Sequence, residues 1–228
     1  MAQSQQKFVA AIFDMDGLML DTERIYHRVW QAAGRELGYE ISDETMLATT
    51  GRTFPDGYRL VQEACGPDFP MAVFQALWPV HWHDDVSRNG IPQKPGLLEL
   101  LDWIDEIGLA KAVATSTTRD EALFTLRAGG IAHRFTTVVT GDQIVHGKPA
   151  PDIYLLTAER LGVEPARCVA FEDSEAGVLA AAAAGMYTIM VPDTKAPSPA
   201  VAARAAYVAP TLHEARALVL RLWQGATS

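Results

Sequence analysis

The chain has 228 residues, 49% of them hydrophobic and 21% charged, the balance of an ordinary globular protein and not of a disordered or collagen-like one. Nineteen basic against 28 acidic residues give a net charge of −9, which repels phosphate backbones and anionic surfaces and excludes general nucleic-acid or membrane binding. Cys65 and Cys168 stand far apart without a CxxC, so a disulfide framework and a cysteine zinc site are excluded and a reducing cytoplasm fits.

The first apolar run, Phe8–Phe13, is followed at once by Asp14 and Asp16, which no signal h-region tolerates, and it reads as a strand. From Leu18 to about Asn89 no convincing strand follows. Tyr26, Val29, Trp30, Ala33 and Leu37 share one face of a helix starting near Thr22, and further helices are expected at Asp43–Ala48, Pro55–Ala64 and Phe69–Val86. Arg88–Pro95, with Asn89-Gly90, Pro92 and Pro95, reads as the return hinge.

Beyond it, apolar runs at Leu109–Thr115, Phe135–Thr140, Cys168–Phe171, Met186–Val191 and Ala206–Ala209 alternate with helical stretches. Those stretches are Gly96–Ile107, Asp120–Ala128, Asp152–Leu161 and Glu175–Ala184. Strands apolar on nearly every position suit a parallel sheet covered on both faces. The expected fold is α/β, a doubly wound parallel sheet with a helical domain inserted after the first strand. The core is expected at 1–17 and 95–228, and the insert at 18–94. The longest apolar stretch, Ala176–Val191, is short for a bilayer and is broken by Gly177 and Gly185. A cytoplasmic monomer acting on a small molecule is the expectation.

Four elements bear chemistry, each at the carboxyl end of a strand, where open α/β sheets form their reactive crevice. Phe13-Asp14-Met15-Asp16-Gly17 delivers two carboxylates so close that a cation is needed between them, and a hard ion such as Mg²⁺ answers. Alone, this string reads equally as an Asx-type turn. Thr115-Ser116-Thr117-Thr118 offers hydroxyls and backbone N–H groups to a phosphate; alone, it is better read as a helix N-cap. Gly147-Lys148-Pro149-Ala150-Pro151-Asp152 holds Lys148 in an extended loop, and with Asp142 and Pro149 around it Lys148 is no Walker lysine. Phe171-Glu172-Asp173-Ser174-Glu175 ends a strand in adjacent acids, which ligate a cation or cap the next helix; capping suits Ser174 and Glu175. The four in this order form a specific constellation.

The sequence here resembles the haloacid-dehalogenase-like hydrolase superfamily, mostly Mg²⁺-dependent phosphatases, over nearly the whole chain. The strings Asp14-Met15-Asp16-Gly17-Leu18-Met19-Leu20-Asp21-Thr22-Glu23, Gly147 to Asp152 and Phe171-Glu172-Asp173-Ser174 look like its β-phosphoglucomutase-like branch. Within that branch, pseudouridine-5′-phosphatase-like sugar-phosphate phosphatases are the nearest likeness. The resemblance implies a Rossmann-like core with a helical cap and an aspartyl-phosphate mechanism. It makes Asp14 the nucleophile and a metal ligand, and Asp16 the general acid/base with its carbonyl on Mg²⁺. Thr115 and Ser116 would hold the transferring phosphoryl group, Lys148 would neutralise it, and Asp173 with Glu172 would complete the metal shell.

The resemblance also separates relatives. Asp16 disfavours a dehalogenase, and the absence of lysine between Leu18 and Gln93 removes the amine that a phosphonoacetaldehyde hydrolase needs. A β-phosphoglucomutase keeps a cap histidine where Tyr26 stands and a cap arginine where Phe54 follows Gly51. The mutase is therefore the alternative to a phosphatase, with Arg52 a candidate substrate contact. A receiver-like phospho-accepting switch would be about half this length and lack the large insert. His81-Trp82-His83-Asp84-Asp85 reads as polar surface on a helix, because histidines two apart point to different faces. Trp30, Trp78 and Trp103 are expected in the core.

Overall fold

Strand β1 (Ala10–Phe13) is buried at all four positions and forms the middle of a parallel sheet. A computed structural model describes residues 8–50, 53–193 and 195–225. After β1 the chain enters a helical stretch of α1 (Glu23–Glu36), α2 (Asp43–Thr49), α3 (Phe54–Cys65) and α4 (Met71–Asn89). It then runs through α5 (Leu97–Glu106), β2 (Ala110–Thr115), α6 (Arg119–Ala128), β3 (Thr137–Thr140) and α7 (Asp152–Leu161). It closes with β4 (Cys168–Glu172), α8 (Glu175–Ala183), β5 (Tyr187–Met190), α9 (Pro199–Ala202), β6 (Tyr207–Val208) and α10 (Leu212–Trp223). The chain divides into two compact units, Met1–Leu20 with Gln93–Ser228, and Asp21–Pro92.

In the first unit the described strands pair in the order β3-β2-β1-β4-β5-β6, all parallel. This is a doubly wound, Rossmann-like core, with the helical insert after its first strand. Because β2 lies on one side of β1 and β4 on the other, the strand order reverses beside β1, and a crevice opens there at the carboxyl ends. Register is held by apolar contacts: Phe13 pairs with Phe171 and the two rings stack at 4.8 Å. Such a contact adds about 0.5–1.5 kcal/mol to the burial of the rings. Helices α7 and α8 pack on the sheet, and α5 packs on α10, where Trp103 meets Trp223 edge-on.

Helix α10 had no counterpart among the expected elements. Leu212, Ala215, Leu218 and Val219 give it a buried stripe, but it follows a proline-broken stretch that offers little periodicity.

The second unit is a helical bundle around aromatic side chains. Trp30 stacks on Tyr58 at 5.3 Å and meets Phe74 edge-on, and the Trp78 Nε1–H donates to the Tyr58 hydroxyl at 3.1 Å. Trp30, Trp78 and Trp82 are all buried. His81 pairs with Glu36 at 2.9 Å and His83 is exposed, so the two histidines diverge. The segments that join the units are themselves paired. Leu20 bridges Gln93 antiparallel, the Lys94 N–H donates to Met19 O at 2.8 Å, and the Asp21 N–H donates to Pro92 O at 2.8 Å. No helix among the described residues is long and apolar enough to cross a membrane.

Candidate active site

Strand ends place the acids. Asp14 follows β1 directly, its N–H donating to Phe171 O at 3.0 Å, so it sits beside the end of β4. Glu172 is the last residue of β4 and fully buried; Asp173 comes next. Lys148 reaches them from the loop before α7. That loop is folded by Asp152, which accepts from the His146 backbone N–H at 3.2 Å and pairs with His146 Nδ1 at 3.0 Å. The Lys148–Pro149 peptide bond is cis.

The Lys148 ammonium has three donors and spends all of them. They go to Asp14 Oδ1 at 2.5 Å, Glu172 Oε1 at 2.6 Å and Ala114 O at 3.1 Å. Burial opposes its charge, but the carboxylates of Asp14 and Glu172 outweigh that and hold its pKa above the ordinary lysine value. Asp14 fares differently. Burial raises its pKa to about 7, Lys148 pulls it down, and the charge of Glu172 pushes it up again. One buried ammonium between two buried carboxylates leaves one negative charge in excess when all three groups are ionised.

On the other side of β1, Thr115 ends β2 with its side chain buried, and its hydroxyl oxygen accepts from the Thr117 N–H at 3.1 Å. The Thr117 hydroxyl in turn donates to Asp16 Oδ2 at 2.9 Å. Ser116 is exposed at the turn between them. The Thr115 hydroxyl thus holds the Thr117 backbone and the Thr117 hydroxyl holds Asp16, while the Thr118 side chain makes no capping bond to α6. Ser174, as expected, caps α8: its oxygen accepts from the Gly177 N–H at 3.1 Å.

Two glycines make room for the acids. A Cβ on Gly177 would stand 1.9 Å from Cδ of Glu172, so only glycine lets the first turn of α8 pass over that carboxylate. A Cβ on Gly17, where φ is +78°, would stand 2.4 Å from Oδ2 of Asp173.

Asp14, Glu172 and Asp173 each place a carboxylate oxygen within 4.8 Å of the others. Clustered hard oxygen donors with excess negative charge suit a divalent cation such as Mg²⁺, so the donor set fits one. The sequence-derived residues Asp14, Asp16, Thr115, Ser116, Lys148, Glu172 and Asp173 all belong to the α/β unit, around the ends of β1, β2 and β4. Arg52 lies outside the described residues. Two further side chains enter the site, one from a named motif without a role of its own and one from outside the motifs. Thr117 is the third hydroxyl residue of its loop and could have been suspected from that run. Tyr154, on α7, donates its hydroxyl to Glu172 Oε1 at 2.5 Å; its position on a buried helical face gave only a core signal.

A doubly wound sheet with clustered acids and a buried lysine at its switch point defines a hydrolase of the phosphatase type. Residues 11–191 match the family of haloacid dehalogenase-like hydrolases, and the chain belongs to that family. It is 34% identical over 183 residues to a phosphorylated carbohydrates phosphatase of Thermotoga maritima, covering 79% of this chain and 83% of that one. It is 32% identical over 190 residues to the fructose-1-phosphate phosphatase YqaB of Escherichia coli, covering 82% of this chain and 97% of the other. The crystal structure of CbbY from Rhodobacter sphaeroides in complex with phosphate superposes with a TM-score of 0.70 at 26% identity, over 91% of this chain and 96% of that one.

Proposed function

We propose that the protein hydrolyses small phosphorylated metabolites, of the sugar-phosphate or nucleoside-phosphate kind, through an aspartyl phosphate and with Mg²⁺ as cofactor. The observation behind this reading is the convergence of Asp14, Lys148 and Asp173 at the crevice end of adjacent strands. Phosphoryl transfer asks for an in-line nucleophile, a cation and fixed positive charge, and these residues supply or hold all three.

In this reading an Asp14 carboxylate oxygen attacks phosphorus while the ester oxygen departs with a proton from Asp16. Water that has lost its proton to Asp16 then attacks the same phosphorus, inorganic phosphate leaves, and Asp14 is regenerated. Thr117 fixes the Asp16 carboxyl, while Thr115 and the Ser116 N–H hold the phosphoryl oxygens. Lys148 neutralises charge that builds on them. Asp14, Asp173 and the Asp16 carbonyl would hold Mg²⁺, whose contribution is to offset the negative charge shared by carboxylates and phosphate.

The sugar-phosphate class is favoured by the relatives, two of which are phosphatases named for phosphorylated carbohydrates and for fructose 1-phosphate. The test is a panel of phosphate esters with Mg²⁺, scored by released phosphate; sugar monophosphates are expected to turn over, and no release from any ester would overturn the reading. The alternative, a phosphosugar mutase, is disfavoured by Tyr26, whose ring stacks flat on Trp82 at 4.3 Å where a mutase keeps an imidazole. Phosphorus NMR of β-glucose 1-phosphate separates the two. Inorganic phosphate as main product is expected, and accumulating glucose 6-phosphate would favour the mutase.

A further inference from the structure

Glu172 is fully buried, and four donors converge on its carboxylate. Lys148 Nζ at 2.6 Å and the Tyr154 hydroxyl at 2.5 Å share Oε1. The Ser174 N–H at 3.3 Å and the Ser174 hydroxyl at 3.1 Å share Oε2. A carboxylate has room for about four donors, so this one is saturated by protein groups alone. One of its oxygens nonetheless lies within 4.8 Å of an oxygen of Asp14 and of Asp173, close enough to join them around a cation. Glu172 therefore stands between two occupations, lysine partner and metal ligand.

Of the side-chain donors, Tyr154 is the one with no second engagement for its donating group among the described residues. Lys148 is itself held by Asp14 and Ala114, and Ser174 is tied to Oε2 as part of the α8 cap. The Tyr154 hydroxyl makes no other hydrogen bond among the described residues than the one to Oε1. Its ring is fixed in the core formed by Ile12, Ala114, Ile153 and Ala170, and lies 5.2 Å from Lys148 Nζ, within cation–π range. The same side chain thus touches the ammonium through its face and fixes that ammonium's acceptor through its hydroxyl.

We propose that Tyr154 is a positioning residue: its hydroxyl keeps the Glu172 carboxylate turned to Lys148 and out of the coordination sphere of the cation, so that Lys148 stays aimed at Asp14. The inference rests on the phosphatase reading for its effect on turnover, but not for its effect on metal binding. Tyr154→Phe removes one donor and keeps the ring. Oε1 then has a free lone pair in a buried site, and the uncompensated oxygen turns to the cation.

Mg²⁺ titrated calorimetrically into the substrate-free protein is therefore expected to bind Tyr154→Phe about tenfold more tightly than wild type. With a sugar monophosphate, kcat is expected to fall about tenfold and KM to stay within about twofold, the scale of changes around metal ligands. The tightening is expected to vanish in the Tyr154→Phe/Glu172→Gln double variant, because a carboxamide is a poor Mg²⁺ ligand. Unchanged or weaker Mg²⁺ binding by Tyr154→Phe, or tightening that survives in the double variant, would overturn the proposal. So would a melting-temperature loss as the sole effect, since that is what mere packing predicts. A wild type inactive on every ester but showing the Mg²⁺ shift would overturn the functional reading and leave the clamp standing.

Discussion

Lys148 Nζ lies 2.5 Å from Asp14 Oδ1 although 134 positions separate the two residues. Neither side chain has water to fall back on: 6% of the lysine side chain and 10% of the aspartate side chain are exposed. The pair exists because β1 is flanked by β2 and β4, and because the loop before α7 drops its lysine over the end of β1.

Asp14→Asn tests the proposed nucleophile. The change is nearly isosteric and is expected to abolish phosphate release. Burial and Glu172 raise the Asp14 pKa to about 7 in the metal-free fold, so ionising it there opposes folding. The sign follows: native stability falls as pH rises through 7, and the asparagine escapes that loss. At about pH 8 the metal-free variant is expected to melt no lower than wild type, and wild-type-like turnover would refute the assignment.

Lys148→Ala leaves Asp14 and Glu172 facing one another without their shared cation. Breaking a buried ion pair in this way destabilises by about 3–5 kcal/mol. The rate is expected to fall on the order of 10²–10³, as for removal of one preorganised charge-stabilising group. Chemical denaturation and initial rates measure the two effects separately.

Removing divalent cations is expected to stop turnover, because Asp14, Glu172 and Asp173 cannot meet an anionic phosphate unaided. Exhaustive EDTA treatment followed by stepwise Mg²⁺ addition checks this, and full activity in EDTA would contradict it. Ca²⁺ is expected to inhibit, since its larger and looser shell misplaces the attacking oxygen.

In the helical unit, His27 pairs with Thr50 Oγ1 at 2.9 Å. Burial lowers its pKa below the ordinary 6.5, with the charge of Asp43 opposing in part. Its folded pKa lies below its unfolded one, so its contribution to stability is complete above 6.5 and is lost as pH falls through the folded value. Denaturation midpoints from about pH 7.5 to about pH 5 are expected to decline less in His27→Gln than in wild type.

The strands around β1, β2, β4 and β5 are legible in the sequence because burial on both faces makes nearly every position apolar. Helix α7 is legible to the residue, since Pro151 starts it and Gly162 ends it. Helix α10 is not, because Pro192, Pro197, Pro199 and Pro210 interrupt the approach to it and its stripe mixes Ala215 with larger residues. Among the site's residues, Asp14 and Glu172 can be suspected from strand ends, where polar side chains have no packing reason to be, and Lys148 from the proline-held loop before α7. The Tyr154–Glu172 bond cannot. Helical periodicity puts a tyrosine on a buried face, but which distant acid meets its hydroxyl depends on how α7 lies against the end of β4. The Thr117–Asp16 bond is hidden for the same reason, being a meeting of two strand ends.

The pairing of Leu20 with Gln93 has a modular consequence. The chain leaves the α/β unit and re-enters it at neighbouring points, so 72 residues between them, Asp21–Pro92, form an excursion whose described residues contribute no strand to the sheet. Insertions and replacements there leave the register of β1 with β2 and β4 untouched. A lineage can therefore trade one helical unit for another while the acids and the lysine, which all belong to the α/β unit, keep their places.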